Sequence, residues 1–414
     1  MRDSRLPVVS IETPIALQSP SSWLFCNVDG QGFLRVIYDE VLQEQLANLV
    51  TRLRRPSPSP LPSPSSSRQT ALSDVEQSLL LSDWCAALWS NGSQKVLETF
   101  FRVVEEIFEL KSEIPQLPLP SVRSLELPWS SVYDCLSRIE RALRHSPSSL
   151  QLLRGYTRLL LSKMTHPILT QESSDETPAY RLFRFRLYEQ AVDHRVTSVR
   201  SSACRLFDDL VQRNLSLSAN LRPAVYSAAV YRNNEDDFLW LWEKYLTETD
   251  PDERNILLAS LVKTEDPDLQ KKYVNAHALL HIISAIILLL TLLKWSLDSS
   301  KVPLQQTDQV LTGLSSWHLS GHSEVFRHLQ QHFHAVMSMS FSQIKYFLLA
   351  FLPGFSLESD IRRVEAFFDD PQHQLSPALQ RVFQQGMEQA RVNTWFIRHF
   401  GSEVGVWVSR TMEP

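Results

Sequence analysis

The sequence predicts a mainly α protein, an α-solenoid of helices stacked in antiparallel pairs and preceded by a short β-rich segment. Three observations lead there. Apolar residues recur three and four apart along most of the chain, as at Leu357, Ile361, Val364 and Phe368, which sets them on one helix face. Helix-start signals recur between short polar breaks. Glycine is scarce, 10 in 414 residues, so helices are expected to follow one another closely.

Residues 1–50 read differently from the rest. WLFCNV and FLRVIYD flank the turn DGQG, a β-hairpin pattern, and VVSIE offers one further strand. A lone hairpin is marginal in water, so this piece is expected to be the trailing edge of a β-domain, with a connector. Residues 51–71 form a linker: the alternating Pro and Ser of RRPSPSPLPSPSSSR can neither bury a face nor form a helix. Residues 72–414 form the helical domain. Ser73 with Glu76 makes a capping box ahead of SLLLSDWCAALW. In TDPDERNILLASLV, Asp250 is the expected N-cap, with Pro251 in the first helical position and Glu253 three residues after the cap; Asp266 and Pro267 repeat the device. Trp84, Trp89 and most of the set Phe238, Trp240, Trp242 and Tyr245 are expected to pack between neighbouring helices.

Composition removes several classes of function. The formal net charge is −5, and lysine and arginine are scattered rather than massed, so no nucleic-acid footprint is present. The start, MRDSRLPVVSIETP, lacks the apolar core of a signal peptide. Cys26, Cys85, Cys135 and Cys204 lie far apart without a CxxC, which suits free thiols in a reducing, cytoplasmic setting. HALLH spaces His277 and His281 as in a zinc peptidase, but Ala278 stands where the general base must be, and no glutamate occurs between His281 and Glu324. His318, His322, His328, His332 and His334 have only Glu324 as a local carboxylate, so a solvated histidine-rich helix is expected rather than a metal centre. The apolar run Ala276 to Leu293 is at the short limit for a membrane span and is not expected to be one.

Several stretches resemble one family, the zinc aminopeptidases related to aminopeptidase N and puromycin-sensitive aminopeptidase. WLFCNVDGQGFLRVIYDE resembles the segment that joins their small β-sandwich to an ERAP-like C-terminal helical domain. LSLSANLRPAVYSAAV, FLWLWEKYLTETDPDERNILLASLVKTEDPDLQ and the closing SLESDIRRVEAFFDD and ARVNTWFIRHFGSEVGVWV resemble helices of that domain. The match is specific over residues 23–40, 215–270 and 355–409 and loose over 72–214. It runs through DPDLQKKY and resumes at KWSLDSSK, so 274–293 reads as an insertion.

The resemblance implies a HEAT-like helical bowl behind a β-sandwich remnant, which in the full enzymes encloses peptides whose N-terminal residue is removed at zinc. The HExxH and GxMEN motifs of that chemistry are not found in this sequence; GMEQ at Gly386 to Gln389 is only superficially similar. No catalytic residue and no metal ligand is therefore carried over, and no cofactor is expected in this chain. Arg181 and Arg184, three apart on one face, are the candidate peptide-binding residues that the resemblance implies, against the favoured reading of a solvated or ion-paired helix face. Peptides and a full-length aminopeptidase are the expected partners. The alternatives are a stand-alone α-solenoid interaction module, or a fragment that docks on an intact aminopeptidase and interferes with it.

Overall fold

The computed structural model of the protein describes residues 35–52, 72–90, 92–110, 117–118, 121–122, 124–165, 176–263, 306, 310–313, 315 and 321–412. These residues are overwhelmingly helical, and no strand occurs among them. HALLH, the Asp266 cap, the insertion at 274–293, the Pro/Ser run 54–68 and the expected hairpin up to residue 34 lie outside the described residues; residues 35–39, the rest of its second run, form no strand, and residues 51 and 52 of the expected linker are helical.

The helices are α1 (Glu40–Arg52), α2 (Asp74–Ser90), α3 (Gln94–Ile107), α4 (Glu126–Ala142), α5 (Pro147–Met164), α6 (Pro178–Asp193), α7 (Thr197–Arg213), α8 (Arg222–Val230), α9 (Glu235–Thr247) and α10 (Pro251–Leu261). The later part of the chain adds α11 (Gly321–Gln331), α12 (Phe333–Val336), α13 (Phe341–Phe351), α14 (Glu358–Phe368) and α15 (Pro377–Met412). Among the described residues, no helix is long and apolar enough to cross a membrane.

Local chemistry accounts for the starts. The Ser73 amide donates to Glu76 at 2.7 Å while the Glu76 amide donates to the Ser73 hydroxyl at 3.3 Å, the reciprocal capping box. Ser340 and Gln343 build a second box at α13. Asp250 caps α10 by accepting from the Asp252 amide at 3.0 Å, with Pro251 at the first turn. Glu253 does not complete a box there. It is buried instead, accepting from Arg222 at 2.7 Å and from the Tyr226 hydroxyl at 2.6 Å, and so ties α10 to α8.

Packing follows the apolar stripes. Ile361, Val364 and Phe368 are buried on α14, whereas Leu357, at its cap, stays exposed. Trp84 and Trp89 are buried. On α9, Phe238 and Tyr245 are buried while Trp240 and Trp242 are only partly so, because the four aromatics face in different directions around the helix. Consecutive helices pack on near neighbours: α6 and α7 on α8, α8 on α10, and α9 on α10. The 36-residue α15 runs back along the earlier part of the chain, against α2, α3, α4 and α5 as well as α13 and α14. Its Trp407 stacks on Phe101 of α3, with centroids 4.7 Å apart, and its Phe396 stacks on Trp89 at 4.1 Å. Each large side chain so buried contributes about 1.5–3 kcal/mol.

One expectation is corrected. Cys85 on α2 and Cys135 on α4 are not free thiols but form a disulfide, with a Cα–Cα distance of 5.9 Å. The reason is packing. These two helices lie side by side, so residues 50 apart in sequence meet within bonding reach. Cys204 carries a free thiol.

Candidate functional site

Three helix ends meet around a cavity of about 1050 Å³. The C-terminal half of α4 contributes Tyr133, Ser137, Glu140 and Arg141, and the 3₁₀ turn Leu143–His145 that follows contributes Arg144. Further along, α5 contributes Arg154 and Arg158, four apart and therefore on one face. The end of α6 contributes Asp193, His194 and Arg195.

Arg195 sits in the left-handed region at φ 61°, where glycine is favoured. It closes α6 with a Schellman motif: the Val196 amide donates to the Ala191 carbonyl at 2.8 Å and the Arg195 amide to the Val192 carbonyl at 2.9 Å. Behind it, α5 starts at Pro147 and receives no side-chain cap from Ser146, so the positive end of this 18-residue helix borders the cavity at Ser148.

Five arginines and two carboxylates line the cavity. Arg154 is paired with Glu140 at 2.6 Å, and Arg158 donates to the His194 carbonyl at 2.8 Å. Asp193 is already engaged by Lys263 at 2.9 Å and accepts from the Tyr231 hydroxyl at 3.1 Å; burial raises its pKa, and the ammonium counters that. The His194 imidazole is pushed down by burial and so is neutral. Burial lowers the pKa of Arg141, and lowers that of Arg144 to about 10 with further help from the like charge of Arg141.

Arg144 is held from behind. It donates to the Ser315 carbonyl and, at 2.5 Å, to Nδ1 of His322. The other ring nitrogen of His322 lies 2.9 Å from the Phe351 carbonyl. Those two partners assign the tautomer: Nε2–H donates to Phe351 and Nδ1 accepts from Arg144. Burial and the neighbouring guanidinium pull the His322 pKa down to about 3, in keeping with a neutral ring. Backbone packing locks the ring further, since a Cβ on Gly354 would lie 1.6 Å from Nε2.

Arg181 and Arg184 are not part of this cavity. Arg184 is 1% exposed, paired with Glu176 at 3.0 Å, with its guanidinium over the Phe185 ring. Arg181 lies half-buried on the same helix. The described histidines do not gather ligands either: His328 and His332 are adjacent, with ring centroids 4.7 Å apart, but no group of three metal-ligating side chains occurs among the described residues. Sequence reading missed the cavity's arginines, although RIERALRH, spacing three arginines every third residue, and RGYTR carried a signal for two arginine-bearing helix faces.

The ERAP1-like C-terminal domain family model matches residues 23–392. The chain belongs to that family. A yeast relative, "Aminopeptidase 2, mitochondrial" of Saccharomyces cerevisiae, is 21% identical over 146 residues, which is 35% of this chain and 15% of the relative. The chain thus spans about a seventh of the length of this curated relative. ERAP1-like membership agrees with the all-α build, and it covers both the helices that line the cavity and the turn that carries Arg144.

Proposed function

We propose that this chain is the peptide-enclosing helical domain of a zinc aminopeptidase, and that it carries no amide-bond hydrolysis of its own. Membership of the ERAP1-like C-terminal domain family is the observation that carries this reading. One feature supports the second half. The sequence contains no HExxH, and its nearest string, HALLH, has Ala278 in the position of the base.

Peptides are the proposed ligands of the wall as a whole, with Arg181 retained as a candidate contact. Arg184 would have to leave Glu176 to take part. A full-length aminopeptidase is a proposed partner, and zinc would belong to that partner. A cytoplasmic location is proposed, and the Cys85–Cys135 bond weighs against it. The test is fluorescence anisotropy with labelled peptides of graded length. Saturable binding that strengthens with length is expected; no binding at any length would overturn the reading.

A further inference from the structure

We propose that Cys85 and Cys135 are a reversible dithiol–disulfide couple of the native fold, opened by a glutathione-type thiol that attacks at Cys85. The inference stands apart from the aminopeptidase reading. It bears on location, because a bond that a reducing pool opens and closes does not weigh against a cytoplasmic setting.

Access is the first ground. The two cysteines are unequally buried: Cys85 on α2 is partly exposed, whereas Cys135 on α4 is 1% exposed. A thiolate arriving from solvent therefore meets the Cys85 sulfur, and Cys135 is the leaving group.

Preorganisation is the second. The bond is not the sole tie between α2 and α4. Two turns before Cys85, the Ser78 and Ser131 hydroxyls share a hydrogen bond of 2.8 Å. One turn after it, the Arg138 guanidinium lies over the Trp89 ring, 4.1 Å from the centroid. Leu81 and Leu88 of α2 and Leu136 and Ile139 of α4 are buried at the same levels. With contacts on both sides of the sulfurs, the reduced pair stays aligned, and closure is an intramolecular step.

Charge is the third. Arg138 stands three residues after Cys135, one turn along the same helix face. It forms no ion pair among the described residues, and burial with the like charge of Arg141 lowers its pKa to about 10, so it is cationic at neutral pH. A cation beside the seam favours the thiolate, the form in which Cys135 leaves and returns. Cys204 lacks these features. It stands on α7, its thiol donates to the Ala228 carbonyl, and burial raises its pKa.

The exchange balances. One glutathione thiolate attacks the Cys85 sulfur, the S–S bond breaks, and Cys135 departs as a thiolate, leaving a mixed disulfide on Cys85. A second glutathione thiolate attacks the glutathione sulfur of that mixed disulfide and releases Cys85. The two protons of the glutathione thiols end on Cys85 and Cys135. The pair gains two electrons, and two glutathiones become one oxidised glutathione.

The experiment counts thiols by alkylation and mass in the full 414-residue chain carrying Cys26→Ser and Cys204→Ser. In reduced glutathione, two thiols per chain are expected to appear together, at a rate unchanged by urea below the unfolding transition. Oxidised glutathione should close them again. With Cys135→Ser added, the chain should take up one glutathione at Cys85; with Cys85→Ser instead, Cys135 should take up none. Arg138→Gln should slow opening about fivefold, and Arg138→Lys should restore most of the rate. Arg213→Gln, exposed and on another helix, should change nothing. Opening that climbs steeply with urea below the transition would mark a fixed staple reduced only in the unfolded chain, and would overturn the proposal. So would no opening, no closure, glutathione uptake at Cys135, or an unchanged rate in Arg138→Gln.

Discussion

His322 joins the two halves of the described helical chain at a single residue. It reaches Arg144 near α5 and the Phe351 carbonyl at the end of α13, and its ring lies parallel to Phe351, with centroids 5.4 Å apart. Because it is held neutral with a pKa of about 3, against 6.5 when free, the unfolded chain binds a proton that the native chain does not. Stability from this residue is therefore complete above pH 6.5 and is lost as pH falls toward 3. His328, lowered by burial to about 4 with help from His332, acts in the same direction. At pH 5 each should cost on the order of 2 kcal/mol relative to pH 7. Denaturant unfolding at both pH values should show the fall, and His328→Asn should remove about half of it. Gly354→Ala tests the same contact from the backbone. The added Cβ has no room beside Nε2, so a loss of about 3 kcal/mol is expected in chemical unfolding, overpacking at its severe end. None of this was visible in the sequence. A histidine every few residues reads as a solvated face, because the residue that accepts Arg144 and the glycine that holds the ring lie 178 and 32 positions from their partners' side of the contact in order along the chain.

Elements were far more legible than contacts. The caps at Ser73 and Asp250 and the stripe Ile361, Val364 and Phe368 depend on residues within one or two helical turns, so their spacing declares them. Asp250→Ala should cost about 1 kcal/mol of stability in equilibrium unfolding. What local spacing cannot declare is which helices become neighbours. Glu253 looks like part of a cap and is instead the anchor of α10 on α8. Cys85 and Cys135 look like unrelated thiols and are a staple between α2 and α4. Closing a loop of 50 residues should constrain the unfolded chain by up to about 4 kcal/mol. A thermal melt with and without a thiol reductant measures this, and the double variant Cys85→Ala with Cys135→Ala should melt as the reduced protein does. An unchanged melting temperature would show that packing alone holds the two helices together.

At the scale of the whole molecule, the helical class was legible because periodicity, caps and scarce glycine all agree, and agreement across levels is what specifies a fold. The arginine cavity was not. Its five cations come from residues 141 to 195, each unremarkable where it stands, and only the meeting of three helix ends makes them a site. The central claim concerns the proposed function: a chain of the ERAP1-like C-terminal domain family, proposed to enclose peptides and to cut no amide bond itself. The most direct measurement is turnover of aminoacyl-arylamides by the purified 414-residue chain, with zinc added and then removed by a chelator. No release of arylamine above background is predicted in either condition. Release that the chelator abolishes and zinc restores, together with one tightly held metal ion per chain, would contradict it.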